Sequence, residues 1–263
     1  MVDIFLIFYQ FGICCVYVLF VGVNLKDFVD VYLDKPWDIK IYMLIILIPF
    51  VLMISIRNLK LLAPFSTLAN ILTFVSFGIV LYYIFQDLPS ISDRPAFGTL
   101  YTFPLYFGTT LFALEAVGVV IAVENNMKTP KSFGGYCGVL NIAMIVITLL
   151  YVGMGFLGYW RYGDDSADSI TLNFPPNDVL AKVVKILYSI AIYISYGLQG
   201  YVPVDILWNT YIVKKLEGSK HLLVWEYALR ISSVFLTFIL AATIPLLGLF
   251  ISFFGAFACR LWA

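Results

Sequence analysis

Charge is scarce in this sequence. Asp, Glu, Lys and Arg make up 12% of its 263 residues, about half the roughly 25% share of a soluble domain. The few charges cancel to a net of zero, which leaves no basic footprint for nucleic acid. Histidine is nearly absent: His221 stands alone in a basic loop, so neither a metal site built on several histidines nor a His-based catalytic triad is available. No Ser–His pairing or His/Glu metal set emerges, which argues against an enzyme and against a bound metal or cofactor. The four cysteines, Cys14, Cys15, Cys137 and Cys259, lie in or beside apolar runs and read as small hydrophobes, not as a disulfide framework. No N-glycosylation sequon is present. The first apolar run lacks a basic flank and a small-residue cleavage site, so it reads as a spanning helix and not a removable signal.

Apolar sequence fills the space. Hydrophobic residues are 62% and aromatics 17% of the chain, with a mean hydropathy of +0.96. A bilayer core of roughly 30 Å takes about 20 apolar residues as a helix. The runs that qualify are Ile4–Val23, Ile41–Ile56, Pro64–Phe85, Tyr101–Val123, Tyr136–Trp160, Val179–Val213, Tyr227–Ile244 and Leu246–Leu261. The fold class is therefore an all-α polytopic membrane protein of about eight transmembrane helices, a single domain over residues 1–263. Lipid leaves no partner for open backbone groups, and no ten-residue dyad alternation suggests a barrel. The sixth run would reach about 50 Å as a helix, so Lys182 and Lys185 at its start are expected to project into water.

Orientation follows from the loops. With Met1 on the cytosolic side, the even-to-odd connections are short and basic: Arg57 and Lys60, then Lys128 and Lys131, then Lys214, Lys215 and Lys220. The opposite loops collect aspartates, among them Asp27, Asp30, Asp34, Asp164, Asp165, Asp168 and Asp178. Lys and Arg set topology, which places the short basic loops in the cytosol.

Polar chemistry concentrates in two spans. The fourth reads FGTTLFALEAVG over residues 107–118 and sets Glu115 near mid-membrane between Gly108 and Gly118. A carboxylate costs several kcal/mol at that depth, so it must pair, take up a proton or line a wet cavity; a neutral acid bonded between helices is the competing reading. Glycine-interrupted helices near the midplane are a common way for transporters to expose backbone groups to a substrate. The sixth span reads SYGLQGYVPVD over residues 195–205. Pro203 cannot donate to the Gln199 carbonyl, which is freed for a ligand, a water or a neighbouring helix. Asp205 is a second intramembrane acid, with snorkelling toward Lys214 or Lys215 as its alternative. The run GMGFLG at residues 153–158 matches a dinucleotide-binding pattern in letters, but with no preceding strand it reads as helix packing through small residues. Thr129 and Pro130 look like an N-cap and first helical residue.

The stretch FALEAVGVVIAVENNM at residues 112–127 resembles the sixth-helix motif of proton-coupled amino acid transporters, a branch of the amino acid/auxin permease superfamily. Three further stretches agree in family order. QFGICCVY at 10–17 resembles the third helix; GYWRYGDD at 158–165 with SITLN at 169–173 resembles the seventh-helix exit; YGLQGYVP at 196–203 resembles the eighth. The resemblance implies a LeuT-like inverted-repeat bundle that moves small neutral amino acids together with protons, in the plasma membrane or a lysosomal or vacuolar one. By motif position it implies that Thr109, Thr110, Phe112 and Gly118 flank a broken substrate-binding helix, and that Gln199 and Tyr201 face the same cavity. Glu115 and Asp205 are its candidates for proton coupling. The alignment starts at the family's third helix and ends after its tenth, so the bundle is expected to be incomplete. A non-transporting membrane subunit that associates with a full-length relative, or a homo-oligomer, is the alternative expectation.

Overall fold

The computed structural model describes residues 2–33, 35–86, 88–91, 94–95, 98–99, 102–114, 120, 124, 127, 132–135, 138–216, 221–243 and 246–259. Eight α-helices run through these residues: α1 (Val2–Val29), α2 (Ile39–Ile54), α3 (Leu59–Gln86), α4 (Phe103–Leu114), α5 (Val139–Tyr162), α6 (Val179–Ile206), α7 (Leu222–Thr243) and α8 (Leu247–Cys259). Five of them, α1, α3, α5, α6 and α7, are long and apolar enough to cross a bilayer, while α2 and α8 are shorter apolar helices. Cys137, Thr129 and Pro130 lie outside the described residues.

The bundle is organised around α1, which packs on α6, α2, α7 and α8. Its buried face carries Cys14, Cys15, Val18 and Leu19, which join Phe50 of α2 and Tyr196 of α6 in one cluster. Both cysteines are free thiols, 1% exposed, and fill the seam as small apolar side chains. Tyr196 anchors this core twice. Its ring meets Phe50 edge-on with centroids 4.4 Å apart, a favoured aromatic geometry, and its hydroxyl shares a 3.1 Å hydrogen bond with Thr237 of α7. Gly200 lets α2 approach α6, because a Cβ there would collide with Ile54.

One polar cap and one buried ion pair mark the start of α6. The Asp178 side chain accepts from the Leu180 amide at 3.2 Å, satisfying an orphan N–H of the first turn, and also accepts from the Tyr83 hydroxyl of α3 at 2.5 Å. Two turns in, Lys185 is only 2% exposed and forms an ion pair with Asp27 of α1. The expectation of a hydrated Lys185 is therefore wrong. Its side chain is withdrawn from water and faces a carboxylate on the neighbouring helix, the partner that a buried cation needs. Lys182 does remain part-exposed, donating to the Tyr32 hydroxyl at 3.1 Å. Beyond Ile206 the backbone widens into a π-helical stretch, Leu207–Ile212, just after Pro203.

Glycine serves close packing, but in the GMGFLG run only Gly158 does so, buried against Ile170. Gly153 and Gly155 of α5 face open space, and none of that helix's most apolar stretch is buried. The tight crossing lies between α4 and α8, where a Cβ on Gly255 would fall on the Gly108 carbonyl and one on Gly108 would fall on the Ser252 carbonyl.

Candidate functional site

Of the residues singled out in the fourth and sixth spans, Phe112 and Gln199 are brought together by α1. Tyr9 and Gln10 are each 1% exposed and, being consecutive, point to different neighbours. The Tyr9 hydroxyl donates to the Phe112 carbonyl of α4 at 3.4 Å, and its ring meets the Phe112 ring at 6.2 Å between centroids. The Gln10 amide donates to the side-chain oxygen of Gln199 on α6. Tyr17, two turns along α1, is a further hydrogen-bonding neighbour of Gln199. Three helices thus meet through neutral polar groups inside an apolar bundle, where each group needs a partner. Thr109 faces α8, donating to the Leu105 carbonyl at 2.8 Å and sharing a 3.1 Å contact with Ser252. Thr110 bonds the Tyr106 carbonyl of its own helix at 2.9 Å. Glu115 and Gly118 lie outside the described residues.

Tyr201 belongs to a different place. Two residues along an α-helix is about 200° of rotation, so Tyr201 turns away from Gln199 instead of sharing its cavity. It lines a polar cavity of about 400 Å³ at the end of the bundle where the short basic loops lie, together with Arg57, Asp205, Trp208, Glu226 and Arg230. Asp205 accepts from Asn209 at 2.9 Å and from the Tyr201 hydroxyl; these groups, not Lys214 or Lys215, are its described partners.

On the opposite wall of this cavity, Glu226 and Arg230 escaped the sequence reading, and Arg57 was read only as a loop charge. Glu226 and Arg230 are both 4% exposed. Arg57 grips Glu226 with two donors, Nε to Oε1 at 3.0 Å and Nη2 to Oε2 at 2.7 Å. Arg230 adds two more bonds to Oε1, at 3.1 and 3.0 Å, and spends Nη1 on the Ile54 carbonyl at 2.9 Å. Its guanidinium also sits 6.0 Å from the Tyr201 ring centroid, within cation–π range. The signal was an i,i+4 Glu–Arg pair, hidden because the apolar run starts at Tyr227 while the helix itself starts at Leu222.

Taken together, the long apolar helices and their buried polar junctions make this an all-α, multi-pass integral membrane protein. The chain matches the family of transmembrane amino acid transporter proteins over residues 1–263, and it belongs to that family. It is 40% identical over 247 residues to the proton-coupled amino acid transporter-like protein pathetic of Drosophila melanogaster, a match covering 94% of this chain and 52% of that protein. Over 218 residues it is 31% identical to vacuolar amino acid transporter 4 of Saccharomyces cerevisiae, covering 80% of this chain and 30% of the yeast protein. The chain therefore spans about half the length of the first relative and less of the second. No solved structure matches it.

Proposed function

We propose that this chain supplies helices of a secondary transporter that carries small neutral amino acids across the membrane together with protons. The observation that carries this reading is the α1–α4–α6 junction, where Tyr9 and Gln10 hold the Phe112 carbonyl and the Gln199 amide. Neutral hydrogen-bonding groups can receive an amino acid backbone without demanding a charged side chain on it. In this reading Thr109, Thr110, Phe112 and Gly118 flank the substrate and Gln199 contacts it, with Tyr201 about half a turn further on α6 and facing the polar cavity. Glu115 and Asp205 exchange the proton. The named relatives, one a proton-coupled amino acid transporter-like protein and one a vacuolar amino acid transporter, support amino acids as the cargo, proton coupling and a vacuolar-type location.

The test is uptake of glycine, alanine or proline into proteoliposomes under an inward proton gradient. Uptake that collapses with a protonophore is expected, as is its loss in Glu115→Gln. Uptake indifferent to the gradient rules out proton coupling. If this chain takes up none of the three with its helicity intact, but does so when joined to the remaining helices of a longer relative, the associating-subunit reading replaces carriage by this chain alone.

A further inference from the structure

We propose that the polar cavity between α6 and α7 is a second binding site, a holding site for a zwitterionic α-amino acid at the cytosolic end of the bundle. The inference takes its ligand class from the amino acid reading above, but its argument is the charge layout. One wall carries Asp205, whose described partners, Asn209 and Tyr201, are neutral. Among the described residues it enters no ion pair, so this wall is negative by one charge. The other wall carries Arg57, Glu226 and Arg230, in which one carboxylate is shared by two guanidinium groups. That wall is positive by one charge. The two walls flank an open cleft of about 400 Å³ with Tyr201 reaching both: its hydroxyl is on Asp205 and its ring 6.0 Å from the Arg230 guanidinium.

A cavity with a single negative wall and a single positive wall matches a ligand that carries both charges a few ångströms apart. The α-ammonium would sit on Asp205. The α-carboxylate would sit on Arg57, the one guanidinium of the pair with half its side chain exposed, at 47% against 4% for Arg230. An anion or a cation alone would satisfy one wall and leave the other repelling or empty. The buried Glu226–Arg230 pair fixes the positive wall in place, since each holds the other by two bonds.

The experiment follows Trp208, which lines the cavity, in the full 263-residue chain in lipid nanodiscs. The signal is the fluorescence difference between the wild type and Trp208→Phe. Alanine and glycine are expected to shift it saturably. Propionate and ethylamine, each lacking one charge of alanine, should bind roughly tenfold more weakly or worse. Asp205→Asn and Arg57→Gln should each weaken alanine by a similar factor. The analogue series needs no variant, so misfolding cannot mimic the result. Propionate or ethylamine binding as well as alanine overturns the proposal, as does alanine giving no Trp208-dependent signal in a helical, reconstituted protein. Saturable Trp208 binding without proteoliposome uptake upholds this site and refutes transport by this chain; uptake without a Trp208 signal does the reverse.

Discussion

The most consequential single residue outside the predicted set is Glu226. Its two oxygens accept from Arg57 and from Arg230, and at 4% exposure it has little water to replace them. Breaking a buried ion pair by removing one partner typically costs about 3–5 kcal/mol, because the other charge is stranded. Glu226→Ala strands Arg230, so thermal unfolding in detergent should show a loss of that order. Arg57→Ala leaves the Arg230 pair in place but removes the one described partner of Glu226 Oε2, and should cost less than Glu226→Ala, about 1–3 kcal/mol. The Gln10–Gln199 bond allows stability and function to be separated. Gln10→Leu leaves the Gln199 oxygen unsatisfied and should cost about 1–2 kcal/mol. The double variant Gln10→Leu/Gln199→Leu removes both polar groups and should recover most of that loss, yet uptake should be abolished in the single and the double variant alike. Recovery of uptake together with stability would remove the junction from the transport reading.

At the scale of elements, helix positions were written plainly in the sequence and helix faces were not. The apolar runs located every described helix, because about 20 consecutive apolar residues have few alternatives to a span. Hydropathy is silent on which face meets protein, since lipid and a protein core are equally apolar. GMGFLG therefore promised a packing seam on α5, where only Gly158 is buried, whereas the tightest glycine crossing lies at Gly108 and Gly255 on α4 and α8. Gly255→Val should push α8 from α4 and cost about 1–3 kcal/mol as an overpacked contact. Gly153→Val on the open face of α5 should fall within about 0.5 kcal/mol of wild type. Chemical-denaturant titrations of the two variants side by side would check the contrast. The candidate site was half legible in the same way. Phe112, Gln199 and Tyr201 stand out by composition and motif, but Tyr9 and Gln10 become site residues only once α1 is seen lying between α4 and α6. The helical period already separates Gln199 from Tyr201, a constraint that motif position alone did not convey.

For the whole molecule, sidedness is the property on which the cavity's meaning depends. Arg57, Asp205 and Arg230 gather at the end of the bundle shared by the 57–60 and 214–216 connections, while Asp27, Asp178 and Lys185 gather at the other. The positive-inside rule assigns the first end to the cytosol. In right-side-out vesicles of a background lacking other reactive cysteines, Lys60→Cys and Lys214→Cys should resist a membrane-impermeant maleimide until the membrane is opened. Asp164→Cys should label at once. The reverse pattern would invert the bundle and make the cavity an entry vestibule. Long-range pairings of this kind are what a linear reading cannot supply, because nothing local to Lys185 announces that its counterion sits near the end of α1.

That pairing also sets a timetable. Asp27 and Lys185 are 158 positions apart, and at about 5–20 residues per second of synthesis the aspartate emerges about 8–32 s before the lysine that pairs with it. During that interval Asp27 on α1 lacks this counterion, and Lys185 on α6, two turns from the start of its helix, lacks its own until the two helices meet. Neither helix can settle finally by itself. Biogenesis of this bundle therefore closes late, when its sixth helix reaches its first, and the insertion machinery must keep the early helices within reach until then.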